Sequence, residues 1–224
     1  MNPSGLLDNG QPRYWTHGVR YRAPDHPVTV AYARPKCELV RRYSGLPPNA
    51  TALDVGTGNG TLFFSLNQLY PSIGLDFSPD LLGRHCSRGR ILRADAARLP
   101  FANRSFDLVA ESCLLHHVGD PAAVVREMAR VTRIALCLIE PNLRNPLSLL
   151  FHALVPEERG ALRLGRGALR SLSPPGFEIS FEGAVGLVFP NRTPTPLLPL
   201  LTAFDRPWPL GNVNLLIARR AAAA

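Results

Sequence analysis

Short apolar runs alternate with longer stretches of helical spacing along most of this chain. Ala52, Leu53 and Val55 form the first run, brief and apolar on both sides, as in a strand covered on two faces. The next segment, TLFFSLNQL, carries Leu62, Phe63, Leu66 and Leu69 at the spacing of one helix face. The pattern then repeats. Pro71 to Asp76 reads as a second strand, and Ser78-Pro79-Asp80 as the N-cap, first-turn proline and first-turn acid of a helix. Arg90 to Ala94 and Ser105 to Val109 read as the third and fourth strands, and Asp120-Pro121 caps a helix through Arg130. Ala135 to Ile139 is the fifth strand. Asn145 to Val155 is an apolar helix, and Phe177, Ile179 and Phe181 alternate as a sixth strand. The proline-rich Phe189 to Pro209 is a long connection with a short helix near Leu197 to Phe204, and Val213 to Ala218 is the last strand. Upstream, Pro35 to Leu46 reads as a helix stopped by Pro47-Pro48. Strands alternating with helices from Ala52 onward predict an α/β fold with a doubly wound, largely parallel sheet.

The first strand ends in a turn built for a ligand. Asp54 sits at its carboxyl end, and Gly56, Gly58 and Gly60 follow at alternate positions. Glycine there lets the chain turn sharply and lets a ligand approach the backbone, while the following helix offers its N-terminal N–H groups. A dinucleotide turn needs a third glycine where Thr61 stands, which disfavours a nicotinamide dehydrogenase. Asp76 lies about 20 residues past the first glycine, where doubly wound nucleotide folds place the carboxylate that binds ribose hydroxyls. The pattern D-x-G-x-G-x-G resembles the cofactor loop of class I S-adenosylmethionine (SAM)-dependent methyltransferases.

The downstream run A-D-A-A-x-L-P-F-x-x-x-S-F-D-L-V, followed by Leu115-His116-His117, is similar to the type 11 subfamily, which includes ubiquinone/menaquinone-biosynthesis enzymes. The likeness covers about residues 51–142 well and the rest weakly. It implies a seven-stranded, Rossmann-like, mostly parallel sheet with the last strand antiparallel, and SAM as cofactor. It also implies a cofactor site made of Asp54, Gly56, Thr57, Gly58, Asn59, Gly60, Asp76, Phe77, Asp95, Ala96 and Glu111. Asp95-Ala96 is the acid-plus-small pair expected beside the adenine. Glu127, Met128 and Arg130-Val131 match the subfamily's R-E-x-x-R-V stretch, but the usual glycine-containing loop after it is shortened to Thr132-Arg133.

Composition adds limits. The 224 residues suffice for one sizeable core, and 46% hydrophobic with 19% charged residues suits a globular chain. The net charge of +8 comes almost wholly from scattered arginines, Lys36 being the sole lysine. That scatter gives no nucleic-acid arm, although a basic surface suits anionic partners or lipid headgroups. Cys37, Cys86, Cys113 and Cys137 lack C-x-x-C spacing and read as reduced thiols of a cytoplasmic protein. His85-Cys86, or Cys113 with His116-His117, has no recognised ligand spacing, so no metal is expected. No run of about 20 apolar residues suggests a membrane span, which leaves peripheral contact as the membrane option. No signal-peptide core is seen at the N-terminus.

The expected organisation is an N-terminal segment, residues 1–46, ahead of a methyltransferase domain, residues 47–220, with a substrate-side insertion at about 143–172. Tyr14, Trp15, His17, Tyr21, His26 and Tyr32 make the N-terminal segment either a lid over the cofactor or a helix packed on the core. The 145–155 helix has the same two readings, pocket wall or core. His117 and His116 are the candidate catalytic residues, because histidine titrates near neutrality; an alternative role is to orient a loop. Glu111-Ser112-Cys113-Leu114 stands where exocyclic-amine methylases carry N/D-P-P-Y, which argues against DNA-type base methylation. The expected function is methyl transfer to a small, hydrophobic acceptor. RNA methylation and a non-catalytic SAM-binding partner subunit are the alternatives.

Overall fold

The computed structural model describes residues 21–87 and 90–221. Tyr14, Trp15 and His17 lie outside the described residues. The chain begins with α1 (Pro27–Tyr43), then β1 (Ala52–Val55), α2 (Thr61–Leu69), β2 (Ser72–Asp76), α3 (Pro79–Gly83), β3 (Ile91–Arg93) and β4 (Phe106–Ser112). A 3-10 turn at Leu115–His117 leads to α4 (Pro121–Val131), which runs directly into β5 (Thr132–Pro141). There follow α5 (Pro146–Leu154), a 3-10 stretch (Pro156–Arg163), α6 (Arg166–Ser171), β6 (Phe177–Val185), α7 (Leu198–Thr202) and β7 (Val213–Arg220).

The seven strands form one sheet in the order β3-β2-β1-β4-β5-β7-β6. The pairs from β3 through β5 are parallel, and β7 runs antiparallel to both β5 and β6. The antiparallel last strand agrees with the expected sheet. Strand order reverses between β1 and β4, and in such sheets a crevice opens outside the carboxyl ends at that point.

Period-two alternation divides the core between the two faces of the sheet. In β5, Ala135, Cys137 and Ile139 join α1 and α2 on one face. Leu136 and Leu138 join α4 and Leu169 of α6 on the other. β1, β2, β4, β5 and β7 are buried on both sides over most of their length, which explains their apolar runs, whereas the edge strands β3 and β6 are partly exposed.

Helix starts follow the predicted cap chemistry. Ser78, Asp120 and Asn145 each accept a backbone N–H with a side-chain oxygen and are each followed by proline. One boundary differs. The helix expected from Pro35 begins eight residues earlier, at Pro27, capped by His26, and continues through Pro35. Proline disfavours a helix interior, yet Val28, Tyr32, Ala33, Cys37 and Val40 are all buried in the sheet's core. Burial of this whole face outweighs the local penalty. From residue 27 the segment packs on the core, and Tyr21 and Tyr32 border the cleft described below.

Two of the sequence motifs prove to be one structural joint. The Arg130 guanidinium pairs with Glu127 and also donates to the carbonyls of Leu99 and Phe101, while Glu127 accepts the Leu99 N–H. The L-P-F and R-E-x-x-R-V stretches thus tie the loop before β4 to α4. Asp107 likewise accepts from Thr51 and Arg133, anchoring the ends of neighbouring strands.

Candidate functional site

A cleft of about 310 Å³ opens over the carboxyl ends of β1, β2 and β4, within the size range of small-ligand sites. The glycine turn forms its floor. Gly56, Gly58 and Gly60 have φ of 72°, 56° and 97°, the left-handed region that favours glycine. Their reasons differ. A Cβ on Gly56 would meet Leu114 at 2.9 Å, and one on Gly60 would meet the Cys86 sulfur at 2.7 Å. A Cβ on Gly58 would meet nothing within 4 Å, since that face of the turn is open beside the cleft.

The acids at the strand ends are held firmly. Asp76 Oδ2 accepts the Gly58 N–H at 2.8 Å and Oδ1 accepts the Ser78 N–H at 2.8 Å. Burial raises its pKa, against these hydrogen bonds. Asp54 lies deeper and accepts the Thr57 hydroxyl at 2.8 Å. Burial pushes it up to about 7, with Asp76 adding and the Thr57 bond opposing. Asp95 accepts the Ala97 N–H, and Asp95, Ala96 and Phe77 line the cleft.

Asp54, Gly56, Thr57, Gly58, Asn59, Asp76, Phe77, Asp95, Ala96, His116 and His117 all border this space. Two expected cofactor residues do not. Glu111 is fully buried and accepts the backbone N–H groups of Leu114 and Ile139, so it stitches β4 to β5 beneath the cleft. Gly60 closes the turn, donating its N–H to Thr57, and stays off the cleft wall. Both lie one layer below the ligand surface, a depth that linear spacing does not encode.

The rest of the lining comes from segments with weak sequence signals. Tyr21, Ser112, Cys113, Ser148, Phe151, His152, Glu158 and the 189–192 loop all reach the cleft. Asn59 donates to the Arg22 carbonyl, and Arg22 binds the carbonyls of Pro190 and Thr193. The residues just ahead of α1 are thereby bolted between the glycine turn and the late loop. Helix α5 sends Ser148, Phe151 and His152 to the cleft, while Leu147, Leu150 and Leu154 are 67%, 56% and 67% exposed. It is a pocket wall and does not pack its leucines on the core.

The two histidines sit in a compact charged cluster. His116 Nδ1 lies 2.6 Å from Glu140 Oε2, and its Nε2 lies 3.2 Å from Glu158 Oε2. Burial alone would push His116 down, but Glu140 and Glu158 overcome it and hold the ring at about 10. Burial, with His116 beside it, pushes His117 down to about 3. His152 completes the group, its Nδ1 2.7 Å from the Ser148 carbonyl and its Nε2 3.7 Å from Glu158 Oε2. Sequence spacing had isolated the His116-His117 pair but gave no sign of Glu140, His152 or Glu158, which arrive from later elements.

Fold, glycine turn and strand-end acids together define a class I SAM-dependent methyltransferase architecture. A family model described as a methyltransferase domain, type 11, matches residues 53–135. Residues 53–135 are thus a methyltransferase domain of this type. A demethylmenaquinone methyltransferase of Roseiflexus sp. (strain RS-1) is 34% identical over 155 residues, covering 64% of this chain and 56% of that protein. A ubiquinone/menaquinone biosynthesis C-methyltransferase of Bdellovibrio bacteriovorus is 34% identical over 102 residues, covering 41% of this chain and 43% of that protein. The chain spans little more than half the length of the first of these relatives. Among solved structures, a SAM-dependent methyltransferase of Thermotoga maritima superposes with a TM-score of 0.62 at 17% identity, covering 86% of this chain and 91% of that one. That likeness concerns the fold alone.

Proposed function

We propose that this chain transfers a methyl group from SAM to a small hydrophobic acceptor of the quinol type. One observation carries the reading. The Asp54–Gly58 turn, Asp76 and the Asp95-Ala96 pair border a single cleft that Tyr21, Phe151 and His152 also line. The open face of Gly58 suits the amino-acid end of SAM, the Asp76 carboxylate suits ribose hydroxyls, and Asp95-Ala96 suits the adenine. When bound there, SAM supplies an activated methyl group on a sulfonium. The protein's part is placement, and alignment of a nucleophile with that carbon can lower a barrier by about 7–11 kcal/mol. The acceptor class is supported by the quinone-pathway names of the relatives and by the aromatic side chains Tyr21, Tyr32 and Phe151 in the lining.

The histidines serve placement on this reading. His116, clamped between two carboxylates, has both ring nitrogens engaged, and His117 is a weak base at neutral pH. Residues 21–26 act as a lid on this reading, with Tyr21 lining the cleft. Among the described residues no helix is long and apolar enough to cross a membrane. We place the protein in the cytoplasm, a setting consistent with its four free cysteines. The exposed leucines of α5 support peripheral contact with a lipid phase from which such an acceptor could be drawn.

The test pairs calorimetric titration of SAM and NAD with a labelled-methyl assay on lipophilic quinols, hydrophilic phenols and RNA. Saturable SAM binding with quinol-dependent transfer is the expected result. SAM binding with transfer to no acceptor would instead favour a non-catalytic partner subunit, and transfer confined to RNA would replace the acceptor class.

A further inference from the structure

The cluster beside the cleft has a chemistry that placement alone does not require. His116 Nε2, His152 Nε2 and one carboxylate oxygen of Glu158 converge, all within 4.8 Å of one another. We propose that His116, His152 and Glu158 form a binding site for a divalent transition ion of the zinc class, with an open position toward the cleft. Residue spacing alone gave no expectation of a metal, because the ligands come from three separate elements: the 3-10 turn after β4, helix α5, and the 3-10 stretch after it.

Distances support the assignment. Ligand atoms on a tetrahedral zinc ion, bonded at about 2.0–2.1 Å, stand roughly 3.3 Å apart. The Glu158 oxygen is 3.2 Å from His116 Nε2 and 3.7 Å from His152 Nε2. Both distances are within a few tenths of an ångström of that spacing, and the two imidazole nitrogens, within 4.8 Å of one another, would draw together on a shared ion.

The outer partners support it independently. A metal-bound histidine donates its other ring N–H to a carboxylate or carbonyl, which fixes its tautomer and aims the remaining lone pair at the metal. His116 Nδ1 meets Glu140 Oε2 at 2.6 Å, and His152 Nδ1 meets the Ser148 carbonyl at 2.7 Å. In each ring Nδ1 is committed to an acceptor, which leaves Nε2 directed at the same carboxylate oxygen. The ion would take the place of the proton that His116 Nε2 shares with Glu158.

The donor set selects the ion. Two imidazoles and one carboxylate suit zinc and its neighbours in the first transition row, whereas magnesium and calcium prefer oxygen throughout. Three protein ligands leave a fourth position for water or substrate. Because His116, His152 and Glu158 all line the cleft, that position would accept an anionic oxygen from a ligand seated there. A hydroxyl bound at the ion would release its proton to water and remain as the coordinated oxygen anion.

Metal uptake needs neither SAM nor an acceptor, so this inference stands apart from methyl transfer. The test is equilibrium dialysis of zinc against untagged, chelator-stripped protein, with cobalt absorption as a geometric readout. One zinc per chain is expected, with the intense visible bands of four-coordinate cobalt. His152→Ala and Glu158→Gln should each weaken zinc binding at least tenfold, an effect on the order of losing a supporting partner or more. Cys86→Ser, which changes an exposed thiol, should leave uptake intact. Thermal melts of the stripped proteins establish that the variants are folded. Absence of stoichiometric zinc in the wild type, or unchanged affinity in folded Glu158→Gln, would overturn the proposal.

Discussion

Asp76→Ala is the substitution that most directly tests the cofactor reading. The carboxylate has two tasks. Within the protein it accepts the N–H groups of Gly58 and Ser78. Toward the cleft it offers its charge to ribose hydroxyls. Leaving a buried donor without its acceptor costs about 1–3 kcal/mol, so the two N–H groups together cost roughly 2–6 kcal/mol. In a chain of this length each kcal/mol lowers the melting temperature by about 2–4 °C, so a fall on the order of 10 °C is expected. Loss of charge-assisted bonds to the sugar, about 1.5–3 kcal/mol apiece, should raise the Kd for SAM by roughly 100-fold. Asp76→Asn separates the two effects, because an amide oxygen still accepts one backbone N–H while the charge is gone. Its melting point should recover part of the loss while its SAM affinity stays low. Calorimetric titration with SAM and S-adenosylhomocysteine, well below the melting range, measures the second quantity. Folded Asp76→Ala that binds SAM within threefold of the wild type would refute the reasoning.

Four further outcomes follow from the same structure. Gly56→Ala should cost the unliganded protein about 2–4 kcal/mol, from left-handed strain plus the Leu114 clash, whereas Gly58→Ala should cost about 1–2 kcal/mol and chiefly weaken SAM binding. Equal melting points and equal affinities for the two variants would contradict that division. Between pH 4 and 7 the folded chain keeps a proton on Asp54 that the unfolded chain has released. Asp54 should therefore contribute a fall of about 4 kcal/mol as pH rises through that window, opposed by His117 and read in urea titrations as the difference between the pH profiles of wild type and Asp54→Asn. Burial lowers Lys36 to about 7, so from there to about pH 10.5 the unfolded chain holds the extra proton. Lys36 should therefore contribute a rise of about 5 kcal/mol across that range, opposed in the wild type by His116 and read as the difference between the pH profiles of wild type and Lys36→Met. Glu111→Ala should lose roughly 2–6 kcal/mol of stability by stranding the Leu114 and Ile139 N–H groups, with SAM affinity within twofold of wild type; a tenfold loss of affinity would return Glu111 to the ligand surface.

What the sequence determined by itself was whatever local chemistry encodes. Apolar runs separated by helical spacing gave the strands and helices in order, because a strand buried on both faces must be apolar throughout. The glycine turn was legible because Gly56, Gly58 and Gly60 adopt backbone angles that other residues resist. Asp76 and Asp95 were legible because a strand end followed by a cap fixes where an acid stands. Tertiary structure decided the rest. Only packing carried α1 through Pro35, since the burial of Val28 and Tyr32 has no signature near that proline. Only depth separated Glu111, which knits two strands, from Asp76, which borders the cleft. Only the crossing of three chain segments brought His152 and Glu158 to His116, because contacts between residues 36 and 42 positions apart depend on how the intervening elements stack, not on any local propensity.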